Sequence, residues 1–272
     1  MQLPELAPVE WSIMVRDADS GAVLAEHEPT RRLRTASVGK IFLLVEVARQ
    51  VEAGECDLTE TVAWSDEERV EDSGLWHLMQ QRWLPIGDLC VLIGGFSDNL
   101  ATNALVRRFG LDAIARTSTS LGFRDSALLD RIRDHRGPDD PPTLSVGTAA
   151  ELSDLVARLH RSELVSAAVS VRVLRWLATN ADLSMVASAF GLDPLAHADP
   201  DRGVTLIDKT GTISTGRIDV GVVTGPAASV SFAVLADWAA GSDEHVSDPR
   251  DAVLATMREI GQLIRSHVGV TG

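Results

Sequence analysis

Lys40 and Lys209 are the only lysines in a chain that otherwise uses 23 arginines for its cations. Lys40 lies in the stretch TASVGKIFLL, three residues after Ser37. Residues i and i+3 of a helix share a face, so Ser37 and Lys40 can point the same way. A serine hydroxyl is a weak nucleophile until a neighbouring base takes its proton. A lysine can be that base when burial and nearby charge lower its pKa, whereas an arginine stays protonated. The chemistry this spacing offers is acyl transfer through a serine ester. The plainer alternative is an accidental Ser-x-x-Lys whose lysine stretches to water.

Two further groups narrow the choice. Lys209 begins the triplet Lys209-Thr210-Gly211 within IDKTGTIS, and between the two lysines GFSDNLATN carries Ser97, Asp98 and Asn99. Each triplet is unremarkable alone. Together they claim both lysines.

These residues need elements to hold them. WSIMVRDADSGAVLAEHE predicts two short strands around an Asp-Ala-Asp-Ser-Gly turn. VGKIFLLVEVARQVEAG is apolar on nearly every face, which predicts a buried helix stopped at Gly54. From about residue 55 to 195 helical periods alternate with Gly, Pro and Asp loops. IGDLCVLIGGFS, DNLATNALVRRFG and VGTAAELSDLVARLHRS are the clearest of them. VTLIDKTG, RIDVGVVTGP and ASVSFAVLAD predict strands, and PRDAVLATMREIGQLIRSHV predicts a closing amphipathic helix. Strands at both ends can share one antiparallel sheet only if the chain returns to its start. The expectation is therefore an α/β domain from residues 1–54 and 200–272, its sheet flanked by N- and C-terminal helices. Residues 55–199 form an all-α domain, and the site lies in the cleft between the two.

Composition excludes several classes. A formal net charge of −14 and a pI near 4.9 argue against nucleic acid and against an anionic membrane surface. No apolar run reaches the length of a membrane span. The start MQLPELAPVEWSIMV lacks the basic opening and apolar core of a signal peptide, so the expected location is cytoplasmic. A periplasmic or secreted location follows instead if a leader has been removed. Cys56 and Cys90 are expected to be reduced thiols. The seven histidines show no metal spacing, and neither metal nor cofactor is expected. The expected partner is a small-molecule substrate, with a monomer as the default state.

Ser-x-x-Lys, Ser-Asp-Asn and Lys-Thr-Gly, in that order, are signatures of class A β-lactamases and penicillin-binding proteins. The chain resembles that superfamily from its N-terminal hairpin to its last helix, class A most closely. Ser97 follows Ser37 by 60 residues, as in the family. The resemblance implies the serine β-lactamase-like fold, with Ser37 as the acylated nucleophile and Lys40 as its base or relay. It implies that Ser97 passes a proton to the leaving nitrogen and that Asn99 holds Lys40 and the substrate amide. It also implies that Lys209 attracts a substrate carboxylate, with Thr210, Ser214 and Arg217 completing that subsite. The N–H groups of Ser37 and Thr212 would form the oxyanion hole beside Gly211, each typically worth about 3 kcal/mol in the transition state. Trp76 stands where the family often has an aromatic wall, although a half-buried tryptophan needs no such role. Asp98 reads as a turn-holding residue, and Cys90 as unbridged because Leu44 faces it.

One part of the pattern is missing. The family holds its deacylating water with a glutamate in a Glu-x-x-Leu-Asn loop. Here the corresponding stretch is LLDRIRDHRGPDDPPTLSVGTAAEL, and no glutamate occurs between Glu71 and Glu151. Positioned general bases are typically worth about 10²- to 10⁴-fold, so hydrolysis of the acyl-enzyme is the step in question. Asp130 and Asp134 are the candidates for positioning the water, Lys40 can serve both steps, and RDHRGPDD also reads as a charged surface turn. The expected activity is β-lactam hydrolysis. The alternatives are an esterase or small-amide hydrolase of the same fold, a D,D-peptidase, and a penicillin-binding sensor or sink that does not turn over.

Overall fold

The computed structural model describes residues 1–195, 200, 203–239 and 248–270. The hairpin expected near the start is β1 (Glu10–Asp17) and β2 (Val23–His27). A short strand β3 (Leu33–Arg34) and a single 3-10 turn (Ala36–Gly39) lead into α1 (Lys40–Glu52). Then come β4 (Thr61–Ala63), β5 (Trp83–Pro85), α2 (Ile86–Phe96), α3 (Asn99–Phe109) and α4 (Leu111–Ser120). Strands β6 (Ala127–Leu128) and β7 (Ser145–Gly147) bracket a long loop, followed by α5 (Ala149–His160) and α6 (Ala167–Leu177). The chain ends with β8 (Thr205–Ile213), β9 (Gly216–Thr224), β10 (Ser229–Asp237) and α7 (Arg250–His267).

The sheet is five-stranded in the order β2-β1-β10-β9-β8, with every pair antiparallel. Strands from both termini thus meet at the β1–β10 seam, as their placement in the sequence requires. The pleat sends alternate residues to opposite faces. Phe232 and Val234 join a core with α7, whereas Ala233 and Leu235 join a second core with the helices of the middle segment. Both faces are covered, which is why β9 and β10 are almost wholly buried runs of Val, Ile, Ala and Leu.

Helix α1 runs through the second core, and every residue from Lys40 to Ala48 is buried. It ends in a Schellman motif. Gly54 takes φ +71°, Glu55 N–H donates to Gln50 O at 2.9 Å, and Gly54 N–H donates to Val51 O at 3.2 Å. The α-helix begins two residues later than its apolar run suggests. Ala36 is left-handed at φ +46° and the 3-10 turn precedes Lys40, so Ser37 sits on that turn rather than inside the helix.

Short strands accompany the helices of the middle segment, with β4 paired to β5 and β6–β7 joined to β3. Cys56 and Cys90 are both free and buried. The expected domain boundary between residues 199 and 200 falls partly outside the described residues, since residue 199 is not among them.

Candidate active site

Ser37 is half-buried and opens on a cleft, held from behind by β7. Thr35 N–H donates to Ser145 O at 3.1 Å, and Ser145 Oγ donates to Ala36 O at 2.6 Å. These bonds fix the left-handed Ala36 immediately before Ser37. Non-glycine residues in that region cost on the order of 1–3 kcal/mol and persist only where their surroundings hold them. Strand β8 passes close by. A Cβ at Gly211 would lie 2.5 Å from Thr35 O and 3.3 Å from Ser37 N, so only a glycine lets the strand run there. Thr210, Thr212 and Ser214 then line the same cleft as Ser37.

Lys40 is wholly buried beneath this wall. Its Nζ donates to Ser97 O at 2.6 Å and to Asn99 Oδ1 at 2.8 Å, and lies 3.2 Å from Ser97 Oγ. Burial above all, then the charge of Lys209, holds its pKa well below the ordinary lysine value, against the opposing pull of Asp98 and Asp72. An uncharged amine has two N–H donors and one lone pair. The two carbonyl oxygens take both donors, which leaves the lone pair for a hydroxyl proton. Ser97 reaches this position because it caps α2 in the left-handed region at φ +53°. Asp98 is the turn-holder expected of it. One carboxylate oxygen caps α3 by accepting from Ala101 N–H at 2.8 Å, and the other accepts from Leu75 and Trp76 N–H at 2.7 and 2.8 Å.

Lys209 is also fully buried, with Nζ donating to Thr210 O at 2.9 Å. Burial lowers its pKa to about 8, and the nearby Asp208, Asp182 and Asp219 limit the fall. At neutral pH Lys209 therefore stays mostly charged, whereas Lys40 is pushed toward its uncharged form. Beside it, Asp208 on β8 and Asp219 on β9 form a buried carboxyl pair. Asn180 Nδ2 donates to Asp208 Oδ1 at 2.7 Å, and Val186 N–H donates to Asp219 Oδ2 at 2.9 Å. Asp208 Oδ2 and Asp219 Oδ1 have no other donor. Burial raises both carboxyls, Asp208 to about 6 and Asp219 well above its usual value, where the neighbouring carboxyl adds to the rise.

The cleft encloses about 790 Å³. Its walls are the β8 end, the turn of residues 71–73 with Ser97 and Asn99, and the loop of residues 132–144. Two serines and a buried lysine of depressed pKa thus meet against the end of β8. The model of the beta-lactamase enzyme family matches residues 3–268. The chain belongs to that family. Among solved structures it is similar to a beta-lactamase from Sphaerobacter thermophilus, at 25% identity and a TM-score of 0.81, over 98% of this chain and 94% of that one. It is similar in fold to PBP-A, at 19% identity and a TM-score of 0.77, over 95% of this chain and 91% of that one. A beta lactamase from Xanthomonas campestris pv. campestris, at 20% identity and a TM-score of 0.77, covers 97% of this chain and 93% of its own. No curated protein matches.

In this member of the beta-lactamase family not every residue expected at the site reaches the cleft. Arg217 turns back on its own strand connection, with Nη1 donating to Ile213 O and Gly216 O, both at 2.7 Å. Trp76 is buried at 0% exposure, its indole N–H donating to Gln81 O at 2.9 Å. Asp130 is buried, ion-paired to Arg133 and Arg136, and accepts from Arg131 N–H at 2.8 Å. Asp134 is exposed outside the cleft lining.

Other residues line the cleft in their stead. Arg34 does, held by Asp237 and by Thr215 Oγ1 at 2.9 Å. So do Arg133, Arg136, Asp72 and Asp182. Arg34 precedes Ser37 by three residues and could have been found from that spacing. Asp72 carried no sequence signal, because its position depends on a turn folding back onto Asn99.

Proposed function

We propose that this protein is a serine hydrolase that opens β-lactam amides through an acyl-enzyme on Ser37. The observation that carries the reading is the state of Lys40. It is buried and depressed in pKa, and its two donors are occupied by Ser97 O and Asn99 Oδ1 beneath the cleft on which Ser37 opens.

In the acylation step Lys40 takes the Ser37 proton, directly or through Ser97, as Oγ attacks the lactam carbonyl. The N–H groups of Ser37 and Thr212 receive the developing oxyanion. Ser97 returns a proton to the leaving nitrogen. Lys209, with Thr210, Thr212 and Ser214, draws the substrate carboxylate. Water then cleaves the Ser37 ester.

The last step favours a second reading. Asp130 is locked between Arg133 and Arg136, and Asp134 lies outside the cleft lining, so neither candidate carboxylate is placed to orient water. Slow deacylation makes the protein a β-lactam trap rather than a fast enzyme. A mutant of PBP-A, similar in fold, is an acyl-enzyme complex with penicillin-G.

Intact mass spectrometry during reaction with a chromogenic cephalosporin, beside Ser37→Ala, separates these outcomes. Many turnovers with the wild type alone support the hydrolase. A persistent one-to-one adduct on Ser37 supports the trap. Neither colour nor adduct refutes both.

A further inference from the structure

Five charged side chains line the cleft, and four of them are already engaged. Arg34 is paired with Asp237, Arg133 with Asp130 and Asp140, and Arg136 with Asp130. Asp182 Oδ1 accepts from Ser184 N–H at 3.2 Å and from its Oγ at 2.6 Å. The fifth is Asp72, which is exposed and has no hydrogen bond or ion pair among the described residues. Its neighbour Glu71 is turned to Arg69.

The backbone of Asp72 is held in an unfavourable state. It sits at φ +77° in the middle of a three-residue turn closed by Ser73 N–H donating to Glu71 O at 3.1 Å. Such turns are rare and strained. Both flanks are bonded to the catalytic wall. Asn99 N–H donates to Ser73 O at 3.0 Å, and Asn99 Nδ2 donates to Glu71 O at 3.2 Å. The same Asn99 accepts from Lys40 through Oδ1. Asp72 is thus carried on a backbone that Asn99 ties to Lys40, and it is presented to the cleft by a turn that glycine would form more easily.

We infer that Asp72 is a specificity-determining residue that recognises a protonated amine on the acyl side of the substrate, making zwitterionic acyl donors the preferred class. This rests on the acyl-transfer reading above. The opposite charge is at the β8 wall, where Lys209 lies beneath Thr210 and Thr212, so one molecule with a carboxylate and an ammonium can satisfy both ends. The other carboxylate lining the cleft, Asp182, is turned to Ser184.

The test compares aminobenzylpenicillin with benzylpenicillin, which differ only by an α-amino group, at a pH that keeps the amine protonated. The readout is the ratio of their kcat/KM values, or of their acylation rates by intact mass if turnover is slow. Asp72→Asn removes the charge with a residue that tolerates positive φ, and Asp72→Gly removes both charge and strain. The ratio is expected to fall about three- to tenfold in both variants, and in wild type at high salt. Asp72→Gly alone is also expected to melt at a higher temperature. An unchanged ratio in both variants overturns the inference. So does an equal loss for both penicillins, which would assign Asp72 to the chemical step. If wild type is acylated by neither penicillin, the underlying reading fails first, and the silence of the wild type marks that case.

Discussion

Asn99 Oδ1 accepts from Lys40 Nζ at 2.8 Å, and this bond ties the base to the wall of the cleft. The amide is neutral, so it holds the amine in place without favouring its charged form. A carboxylate in the same position would favour the charged form. Asn99→Asp is therefore expected to raise the pKa of Lys40 and lower the neutral fraction at pH 7. The acid limb of the pH profile for Ser37 acylation should move up by about one unit or more, with slower acylation at neutral pH and recovery in alkali. A profile that keeps its position would show that Lys40 is not the group whose deprotonation limits acylation.

The carboxyl pair beside Lys209 gives a second pH effect, on stability. Asp208 has a folded pKa of about 6 against 3.8 for a free group, and Asp219 moves the same way. The folded state therefore binds more protons than the unfolded one above about pH 4. Stability falls as pH rises through that window and onward through the higher pKa of Asp219. Asp219→Asn supplies a permanent N–H donor to Asp208 and removes one of the two raised carboxyls. It should flatten the fall between pH 4 and 7 and stabilise the protein above pH 6 by on the order of 1–3 kcal/mol. Urea melts at a series of pH values measure this. A wild-type curve that rises across that window would contradict the raised carboxyls.

Asp130 and Asp134 call for opposite expectations. Asp130 holds Arg133 and Arg136, both of which line the cleft. Removing one partner of a buried ion pair typically costs about 3–5 kcal/mol, because the other charges lose their compensation. Asp130→Ala should lower Tm by several degrees and loosen the loop of residues 132–144. Asp134→Asn, at an exposed position, should change neither Tm nor turnover. A variant of either aspartate that keeps its Tm but stops deacylating would reveal the missing water-positioning base.

The sheet and the central helix were legible because their signals are local. The short Val-rich segments of β9 and β10 bounded by Gly and Pro, and an apolar surface all round α1, report burial directly. Lys40 and Lys209 were legible because each replaces an arginine the chain otherwise prefers. The rim of the cleft was not. Arg217 belongs to the expected segment, yet its guanidinium turns to the carbonyls of Ile213 and Gly216 at the β8–β9 turn and stays out of the cleft lining. Asp72 is a neighbour of Asn99 only after residues 71–73 dock on α3, and the start of α1 depended on a left-handed Ala36 that no propensity announces.

Gly211 gives the most direct test of how closely β8 and Ser37 must fit. An added Cβ would lie 2.5 Å from Thr35 O, a backbone atom held by the bonds of residues 35 and 36 to Ser145. Neither side can yield as a flexible side chain would. Gly211→Ala should push β8 away from the 3-10 turn and separate the Thr212 N–H from the Ser37 N–H. Overpacking of this kind typically costs about 1–3 kcal/mol, and a displacement near 1 Å at reacting groups can cost about 10²-fold in rate. The expected result is a modest fall in Tm with a much larger fall in the rate of Ser37 acylation. Gly225 makes the comparison sharper, because it follows Thr224, which pairs with Thr205 at the other end of β8, and a Cβ there would lie 2.4 Å from Val268 O, away from Ser37. Gly225→Ala should lower Tm without a comparable loss of acylation. Equal kinetic losses in both variants would show that β8 acts through general stability, and that the close approach at Gly211 has no special part in the reaction.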